Sequence, residues 1–389
     1  MKILLANKFY YRRGGAEVYT LNLETLLKNQ GHTVAIFTMQ HTENLPSPYQ
    51  KYFPKEVDFN SYANNYWTVL CRPLGCSEVR KNFTALLNDF QPDVVHLGNI
   101  HSQLSPIIAK IAHQRGIKVV WTLHDYKIIC PRYDCMLNDA TPCNRCVKDK
   151  TQAVRNRCLK HSLPASVLAY LESVKWNIGK LQSYTDEFIT PSRFMAENMI
   201  ANGLNKNKIT VLNNFIIFQQ DEIAKQHSDY YCYVGRLSRE KGIRTLIEAA
   251  RQLPYKLKII GRGENVLNYT SINNIEFLGY KPWEEIRRIV GQARFTVMPS
   301  ECYENNPLAV IESLCIGIPV VGANIGGIPE LVEKKQNGLL FESGNVEDLK
   351  DKIEKMFSRN FDYEHIAKNA MERFSAEKYY CEILKIYEQ

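Results

Sequence analysis

Short runs of β-branched residues alternate, in the first half of the chain, with stretches whose apolar residues recur at helical spacing. Strands are predicted at residues 2–7, 33–38, 93–97, 118–123, 187–190 and 209–212, and helices at 16–29 and 105–115. Strands that alternate with helices are typical of a parallel sheet covered by helices on both faces. The first half of the chain is therefore predicted to form one doubly wound α/β domain.

The second half repeats this alternation without repeating the sequence. Strands are predicted at residues 231–234, 257–260, 275–278, 295–298, 319–321 and 339–341, and helices at 243–252, 283–290, 308–315 and 346–357. Residues 218–228, rich in glutamine and charge, are interpreted as a linker. The fold class is thus α/β with two Rossmann-like domains, expected to face a central cleft. Ligands of open α/β sheets bind beyond the carboxyl ends of the strands, so the functional side chains should follow strands.

Length and composition agree with this organisation. A chain of 389 residues exceeds what one core usually organises, and 45% apolar with 23% charged residues is typical of a globular protein. The opening MKILLAN lacks the long apolar stretch of a secretory signal, and no run approaches the roughly 20 apolar residues of a membrane span. The expected location is the cytoplasm, with peripheral contact at the inner face of the membrane as an extension.

The formal net charge of +8 favours an anionic partner. No nucleic-acid-binding motif accompanies the excess of basic residues, so nucleic acid is not an expected partner. Because the basic residues are spread along the chain, phosphorylated substrates near a membrane are a better match for this excess than nucleic acid is. An ordinary solvated basic surface is an equal alternative.

The stretch from 299 to 312 leaves a predicted strand and enters a predicted helix. Asn305 or Asn306 suits the N-cap of this helix, and Pro307 suits its first position. The free N–H groups of such a helix start bind phosphate oxygens. Glu304 precedes this anion site, and Glu312, eight positions after Glu304, lies more than two helical turns further along the chain if the helix is regular. One carboxylate is thus predicted to reach the group beside the phosphates and the other a more distant pair of hydroxyls.

A second loop follows the strand at 231–234. Gly235 and Gly242 bracket it, and Arg236 and Lys241 stand five positions apart. A departing diphosphate needs its negative charge balanced, either by a divalent ion or by cationic side chains. The chain has no Asp-x-Asp pair for a metal, so these two cations are predicted to do this work.

Two further strand ends carry candidate residues. Gly14 and Gly15 lie between the first strand and the first helix, where paired glycines let the backbone approach a phosphate closely, although a simple tight turn is the more common reason for such a pair. His124 ends the strand at 118–123 and is a candidate to exchange a hydrogen bond with a sugar hydroxyl. A structural role for this histidine is equally open.

Together these motifs resemble glycosyltransferase family 4, the retaining family with the GT-B fold. The E-x7-E pair matches Glu304 and Glu312, the G-R-L-x-x-x-K-G element matches residues 235–242, and G-G-A-E matches residues 14–17. Supporting matches lie at 259–263, 277–280 and 326–331, so the resemblance runs from about residue 1 to 342. It implies a metal-independent, cofactor-free hexosyltransferase of surface-polysaccharide biosynthesis. The implied donor is a UDP- or GDP-type sugar, and the implied acceptor is a glycan or a polyprenyl-diphosphate-linked sugar.

The resemblance also implies domain bounds and residue roles. Residues 1–212 would form the acceptor-side domain, 213–374 the nucleotide-sugar domain, and about 375–389 a helix that packs back on the first. The implied ligands of the donor are Arg236 and Lys241 for the diphosphate, Glu312 for the ribose, Glu304 for the transferred sugar, backbone amides at Asn306 and Leu308, Gly14 and Gly15 beneath the diphosphate, and His124 for the sugar. Where many members carry Gly-Phe-Gly, this chain has Asn305-Asn306-Pro307, which puts the donor-sugar preference in doubt.

The sequence leaves three rivals to a glycosyltransferase. A sugar-nucleotide epimerase of GT-B architecture would bind the same donor without an acceptor and should show different acid/base residues. A glycan phosphorylase would need a pyridoxal phosphate lysine and a much longer chain. A non-catalytic binding protein would be expected to lack Glu304, Arg236 or Lys241, all of which are present.

A separate question concerns five clustered cysteines, which offer a structural zinc site or, as the favoured interpretation, reduced thiols in an insert near the acceptor: Cys130, Cys135, Cys143, Cys146 and Cys158.

Overall fold

The computed structural model describes residues 1–59, 66–137, 141–217, 228–263, 272–334 and 336–389. All but the last residue of the predicted linker at 218–228 therefore lies outside the described residues. By its internal contacts the chain divides into two compact units. The first comprises Met1–Cys135, Cys143–Asn213 and Tyr379–Gln389, and the second Met136–Pro142 and Asn214–Lys378.

Fourteen strands are found in the described residues. They are β1 (Lys2–Ala6), β2 (Thr33–Phe37), β3 (Val94–Leu97), β4 (Lys118–Thr122), β5 (Met136–Leu137), β6 (Thr141–Pro142), β7 (Glu187–Thr190), β8 (Ile209–Val211), β9 (Tyr230–Val234), β10 (Lys256–Ile260), β11 (Ile275–Gly279), β12 (Thr296–Met298), β13 (Val320–Ala323) and β14 (Gly338–Phe341).

The described residues also form fourteen α-helices. They are α1 (Gly15–Asn29), α2 (Tyr66–Cys71), α3 (Ser77–Phe90), α4 (Ile107–Gln114), α5 (Gln152–Arg155), α6 (Leu163–Lys175), α7 (Ile178–Ser183), α8 (Arg193–Ala201), α9 (Ile243–Ala250), α10 (Trp283–Gly291), α11 (Leu308–Cys315), α12 (Val346–Phe357), α13 (Tyr363–Phe374) and α14 (Ala376–Glu388).

The first unit is built on a six-stranded parallel sheet in the order β2-β1-β3-β4-β7-β8. Its inner strands bury side chains on both faces, and Leu4, Val95 and Val120 are fully buried. Such strands read as continuous apolar runs because helices cover both faces of the sheet. Since β1, β3 and β4 lie side by side, the loops that follow them meet at one edge.

The second unit repeats this plan in the order β11-β10-β9-β12-β13-β14, again with parallel pairing. Its core lies between the sheet and the helices that cover it, and includes Tyr231, Ile259, Phe295 and Val321. Here β9, β12 and β13 are neighbours, so the loops after these three strands share the carboxyl edge. The two parallel sheets with covering helices confirm the predicted α/β class.

The observed elements differ from the sequence-based prediction in a few places. The helix predicted at 105–115 begins at Ile107, after a buried Ser105 with a positive φ of 65°. The antiparallel hairpin β5–β6 was not anticipated, nor were six helices: α2, α3, α5, α7, α8 and α13. No helix in the described part of the chain combines the length and apolarity needed to cross a membrane.

Candidate active site

Two loops meet at the carboxyl edge of the second sheet, one after β9 (residues 235–242) and one after β12 (residues 299–307). The Glu301 N–H donates to the Glu240 carbonyl at 2.9 Å, which joins the two backbones. Gly242, with a φ of 68°, lies so close that an added Cβ would stand 1.8 Å from the Pro299 carbonyl oxygen. Only glycine permits both the left-handed backbone and this approach. The second bracketing glycine of the motif is therefore needed to bring the loops together.

The charged centre of this edge is an ion pair between Lys241 and Glu304. The Lys241 Nζ lies 2.6 Å from Glu304 Oε1, and the Ser300 hydroxyl donates to the same oxygen at 2.7 Å. The side chains of Lys241 and Glu304 are only 20% and 13% exposed. A pair this shielded from water is held firmly, because screening is weak.

The backbone of Glu304 is fixed by a third loop, after β13. The Gly327 N–H donates to the Glu304 carbonyl at 2.6 Å. Gly326 has a φ of 61°, and a Cβ there would stand 2.4 Å from the Glu304 carbonyl oxygen. Loops after three neighbouring strands therefore converge on one residue, Glu304.

Charge stabilisation outweighs burial at this pair. Burial alone would raise the pKa of Glu304, but the Lys241 ammonium and the Ser300 hydroxyl together hold that pKa below its usual value. Burial would likewise lower the pKa of Lys241, and Glu304 reverses this to a net increase. Both groups are thus ionised at neutral pH.

Arg236 lies in the same loop but is mostly exposed. Its side chain is 72% exposed, with NH2 3.6 Å from Glu240 Oε1, a contact that contributes little in water. The backbone beneath it is anchored, since the Tyr233 hydroxyl donates to the Arg236 carbonyl at 2.6 Å. The guanidinium is thus a solvent-facing cation on a fixed stem, suited to bind an anion bidentately.

The entrance of α11 differs from the prediction. Pro307 is the N-cap residue, α11 begins at Leu308, and no side chain caps it, so the expected capping by Asn305 or Asn306 is wrong. Asn306 is buried and is held instead by Asn214, whose backbone N–H donates to Asn306 Oδ1 and whose Nδ2 donates to the Asn306 carbonyl, both at 2.8 Å. The Oδ1 atom of Asn306 therefore accepts from Asn214 rather than from the first N–H groups of α11. Asn305 is half-buried beside it.

Glu312 lies further along α11, beside an apolar pocket at the same edge of the sheet. The pocket is lined by the last residues of β9 and β12, Val234 and Met298, and by Trp283 and Ile286 of α10. Glu312 is half-buried at the pocket wall. One edge of the second unit therefore carries two cations, Arg236 and Lys241, next to the carboxylate of Glu304. The same edge has an apolar pocket with the carboxylate of Glu312 at its wall.

In the first unit, His124 follows β4 at the carboxyl edge. Its ring packs edge-on against Tyr19 of α1, with centroids 4.5 Å apart. Burial lowers the pKa of His124 to about 3, so its imidazole is neutral at physiological pH. Tyr19 lies one turn after Gly15, the first residue of α1, and Gly14 is the N-cap of that helix. The structure thus brings His124 close to the start of α1.

A buried polar network supports His124 from below. The Thr122 hydroxyl contacts the Tyr19 hydroxyl at 3.2 Å and His96 Nε2 at 2.8 Å. Two tyrosines of α14 complete the network: the Tyr379 hydroxyl bonds that of Tyr19, and the Tyr387 hydroxyl lies 2.6 Å from His96 Nδ1. The last helix of the chain therefore helps to fix the predicted catalytic histidine.

Several of these supporting residues were not singled out from the sequence. Ser300 lay inside the quoted 299–312 stretch, and Gly326 and Gly327 in a supporting motif, so a signal for them existed. Asn214 and Tyr19 carried no motif of their own. Their roles follow from tertiary contacts that spacing along the chain does not reveal.

The five clustered cysteines form part of a compact insert after β4. The thiol of Cys130 is hydrogen-bonded to those of Cys135 and Cys146, which lowers the pKa of Cys130 and raises the pKa of the other two. No disulfide joins them. Within the described ranges, no group of three or more histidine, cysteine or acidic side chains is arranged to hold a metal ion.

Two family models cover most of the chain. The model described as Glycosyltransferase Family 4 matches residues 13–220, and the model described as Glycosyl transferases group 1 matches residues 215–373. The fold and these matches define a glycosyltransferase of the GT-B class. More narrowly, the chain belongs to glycosyltransferase family 4.

The relatives include glycosyltransferases and proteins from polysaccharide gene regions. An uncharacterized glycosyltransferase of Methanocaldococcus jannaschii is 30% identical over 53% of this chain and 60% of its own length. An uncharacterized 42.6 kDa protein in the cps region of Klebsiella pneumoniae is 26% identical over 85% of this chain and 87% of its own. The amylovoran biosynthesis glycosyltransferase AmsK of Erwinia amylovora is 28% identical over 49% and 52%, respectively. The chain thus spans little more than half the length of two of these relatives.

Solved structures share the fold over the whole chain. Sucrose-phosphate synthase of Thermosynechococcus elongatus superposes with a TM-score of 0.70 at 18% identity, covering 100% of this chain and 98% of that one. HepE of Anabaena, in complex with UDP and glucose, superposes with a TM-score of 0.67 at 18% identity, covering 100% of both chains.

Proposed function

We propose that this protein is a retaining glycosyltransferase that moves a hexose-type sugar from a UDP- or GDP-type donor to a glycan or lipid-linked acceptor. The observation that carries the proposal is the Lys241–Glu304 ion pair, at which three strand-end loops meet. In a bound sugar diphosphate, the cation Lys241 would contact the diphosphate and the carboxylate of Glu304 would contact the sugar. The diphosphate is anionic, and the sugar presents hydroxyl groups that donate to a carboxylate.

The diphosphate is proposed to bind Lys241 and Arg236. Lys241 is already in place and charged, whereas the exposed Arg236 closes on the phosphates as a bidentate fork. Backbone N–H groups near Asn306 and Leu308 and the positive end of α11 add to this site. Positive charge here stabilises the diphosphate as it departs, without calling on a metal ion.

The nucleoside is proposed to lie in the apolar pocket beside Glu312. A planar base suits apolar walls such as Trp283 and Ile286, while the carboxylate of Glu312 accepts hydrogen bonds from the ribose hydroxyls. HepE, which shares the fold, was solved with UDP and glucose, which supports a sugar nucleotide as the donor class.

At the reacting sugar, Glu304 is proposed to accept a hydrogen bond from a hydroxyl, and His124 to do so as a neutral imidazole. A neutral ring at this position accepts or donates a hydrogen bond without adding positive charge to an oxocarbenium-like centre. Gly14 and Gly15 at the start of α1 are proposed to approach the diphosphate through their backbone. The departing phosphate itself is proposed to take the acceptor proton, which gives retention without an enzymatic nucleophile.

The biological setting is proposed from the relatives. Their names place them in amylovoran biosynthesis and in a cps region, so a growing surface glycan on a polyprenyl diphosphate is the proposed acceptor. Such an acceptor lies at a bilayer, and the protein is proposed to work in the cytoplasm, peripherally at the inner face of the membrane.

The donor is tested by a thermal-shift screen against UDP, GDP, ADP and their common sugars, with and without EDTA. One nucleotide series should raise the melting temperature regardless of EDTA. Arg236→Ala should abolish the shift. Arg239→Ala makes the same charge change in the same loop and should keep it. No shift with any nucleotide would contradict the proposal.

The chemistry is tested by following slow donor hydrolysis by NMR in the absence of acceptor. The sugar first released should keep the anomeric configuration of the donor. Glu304→Gln should slow release by about 100-fold or more, the cost typical of losing one such polar contact. Glu301→Gln, in the same loop but bonded to Thr245 at 2.6 Å, serves as the matched control. Release of the opposite anomer would rule out retention, and an epimerised intact donor would favour the epimerase.

A further inference from the structure

Helix α6 is amphipathic in the opposite sense from an ordinary surface helix. Its exposed side carries four aliphatic side chains, whereas its buried side is polar or small. The exposed residues are Leu163, Val167, Leu171 and Val174, at 47%, 37%, 46% and 47% exposure, and the buried ones are Ser166, Ala169, Glu172 and Ser173. The spacing i, i+4, i+8, i+11 confines the aliphatic residues to an arc of about 80°. A surface helix normally buries its aliphatic side, so the exposure of these four side chains does not stabilise the fold.

The polar side holds the helix in this orientation. Glu172 is 2% exposed, and its carboxylate lies 3.0 Å from Lys127 Nζ. It also accepts from the Ser102 N–H and hydroxyl at 3.0 and 2.9 Å. Rotating α6 to bury its aliphatic side would break all of these bonds, a large cost for a buried charge. The exposure is therefore built into the fold.

A second short helix, α2, exposes further apolar side chains. The segment that contains α2 is tied to the ends of α6, where Lys160 Nζ donates to the Phe59 carbonyl at 2.6 Å and Trp176 Nε1 donates to the Pro73 carbonyl at 2.9 Å. On α2, Trp67 is 74% and Leu70 is 47% exposed. We call the six exposed residues of α2 and α6 the apolar face: Trp67, Leu70, Leu163, Val167, Leu171 and Val174.

Positive charge flanks both ends of the apolar face. Between residues 148 and 182 the acids are Asp149 and the buried, paired Glu172. Besides the half-buried Lys150, whose Nζ donates to the Ile128 carbonyl, the cations of this stretch are Lys148, Arg155, Arg157, Lys160, Lys175 and Lys180. Beyond the carboxyl end of α6, Lys180 Nζ donates to the Lys175 carbonyl at 3.3 Å, and the charges of Arg80 and Lys110 act on Lys175.

We propose that the apolar face docks on an anionic lipid bilayer, with α6 lying in the plane of the interface. An aliphatic stripe about 17 Å long, with an exposed tryptophan on the neighbouring α2 and lysine and arginine at its ends, fits the boundary between acyl chains and anionic headgroups. A protein partner would need a complementary surface of its own. An anionic bilayer offers an apolar interior for the aliphatic side chains and negatively charged headgroups for the flanking lysine and arginine residues.

The position of α6 links this surface to the proposed acceptor side. Ser102 and Lys127, which hold Glu172, follow β3 and β4 at the sheet edge that also carries His124. A bilayer on the apolar face would lie close to this edge, where a lipid-linked acceptor has to arrive. In naming the acceptor's lipid the inference rests on the proposed function, but docking itself does not depend on transfer.

The test is co-sedimentation of the full chain with vesicles of neutral phosphatidylcholine and with vesicles containing about 30% phosphatidylglycerol, without any substrate. The chain should bind the anionic vesicles, and binding should weaken in high salt. The double variant Val167→Ser with Leu171→Ser should lose binding at least tenfold while keeping its melting temperature. Ile200→Ser removes a 41% exposed aliphatic residue on α8 and should bind like the parent.

The remaining outcomes separate the possibilities. Equal binding by the parent and the double variant, or no binding to anionic vesicles, would overturn the proposal. If the double variant instead turned a dimer into a monomer by light scattering, the face would be a protein interface, and the proposal would be wrong. A double variant that still shows the donor-induced thermal shift but no vesicle binding would confirm docking separately from the transferase chemistry.

Discussion

At the scale of single residues, the buried pair Lys241–Glu304 illustrates how a binding site keeps its charges ready. Burial disfavours the charged form of each group, and its charged and hydrogen-bonding partners together more than offset this effect. The Ser300 hydroxyl donates to the same carboxylate oxygen as Lys241. A donor diphosphate therefore meets a lysine that is already charged and oriented, and this lowers the cost of binding.

The two buried histidines of the first unit give a prediction for pH. Burial lowers the pKa of both His96 and His124 to about 3, from an ordinary 6.5. Below pH 6.5 these histidines become protonated in the unfolded chain, whereas in the folded chain they stay neutral down to about pH 3. The stability is therefore fully present above pH 6.5 and is lost as the pH falls through this window, by about 1.4 kcal/mol per pH unit for each histidine.

Urea unfolding of the parent and of His124→Asn at pH 7, 6 and 5 checks this expectation. As the pH falls, the free energy of unfolding of the variant should decrease less steeply, because its unfolded chain takes up one proton fewer. His365→Asn removes an exposed histidine of α13 and should keep the parent's slope. Identical slopes for all three proteins would show that His124 is protonated normally in the folded state.

At the scale of residues, the sequence predicted which residues lie at the sheet edge better than it predicted their hydrogen-bond partners. Lys241, Arg236 and Glu304 follow strands in the predicted way and share one edge of the sheet. The predicted capping by Asn305 or Asn306 failed because Asn214, distant in sequence, takes the amide of Asn306. Hydrogen bonds between residues 92 positions apart leave no periodic trace in a sequence.

At the scale of elements, the buried strands were the most predictable features, and the side that α6 buries was the least predictable. Strands such as β1 and β13 are apolar on both faces, so their runs are continuous and stand out. Helix α6 buries Ser166, Glu172 and Ser173 and exposes aliphatic residues, so its pattern contradicts the rule by which surface helices are recognised. Its signal became interpretable only once the buried side was known.

The last helix, α14, gives a prediction at this scale. Tyr387→Phe should reduce the free energy of unfolding by about 1–3 kcal/mol, because it leaves the buried His96 Nδ1 without its 2.6 Å partner. Urea unfolding measures the loss. Tyr380→Phe removes a hydroxyl from the same helix, but its bond to His32 is only partly buried, and the cost should be about 0.5 kcal/mol or less. Equal losses would mean that burial of the His96 bond does not matter.

At the scale of the whole molecule, the two units have separate parallel sheets and most internal contacts lie within each unit. The candidate donor ligands are distributed unevenly between them. Arg236, Lys241, Glu304 and Glu312 belong to the second unit, whereas Gly14, Gly15 and His124 belong to the first. Strand order could be inferred from the sequence only as a class, because the choice of neighbours depends on long-range pairing.

This distribution predicts where a nucleotide stabilises the chain. Hydrogen exchange with and without the nucleoside diphosphate identified by thermal shift should show the strongest protection at residues 235–242 and 299–308. Nucleotide at 100 times its dissociation constant stabilises the bound state by about 2.7 kcal/mol, which corresponds to roughly 100-fold slower exchange for amides that open only in the free form. Strands β1 to β4 should change far less, because the proposed contacts of the nucleotide without its sugar lie mainly in the second unit. Protection greatest at α1 and β4 would instead assign the nucleotide to the first unit and would reverse the donor and acceptor sides proposed here.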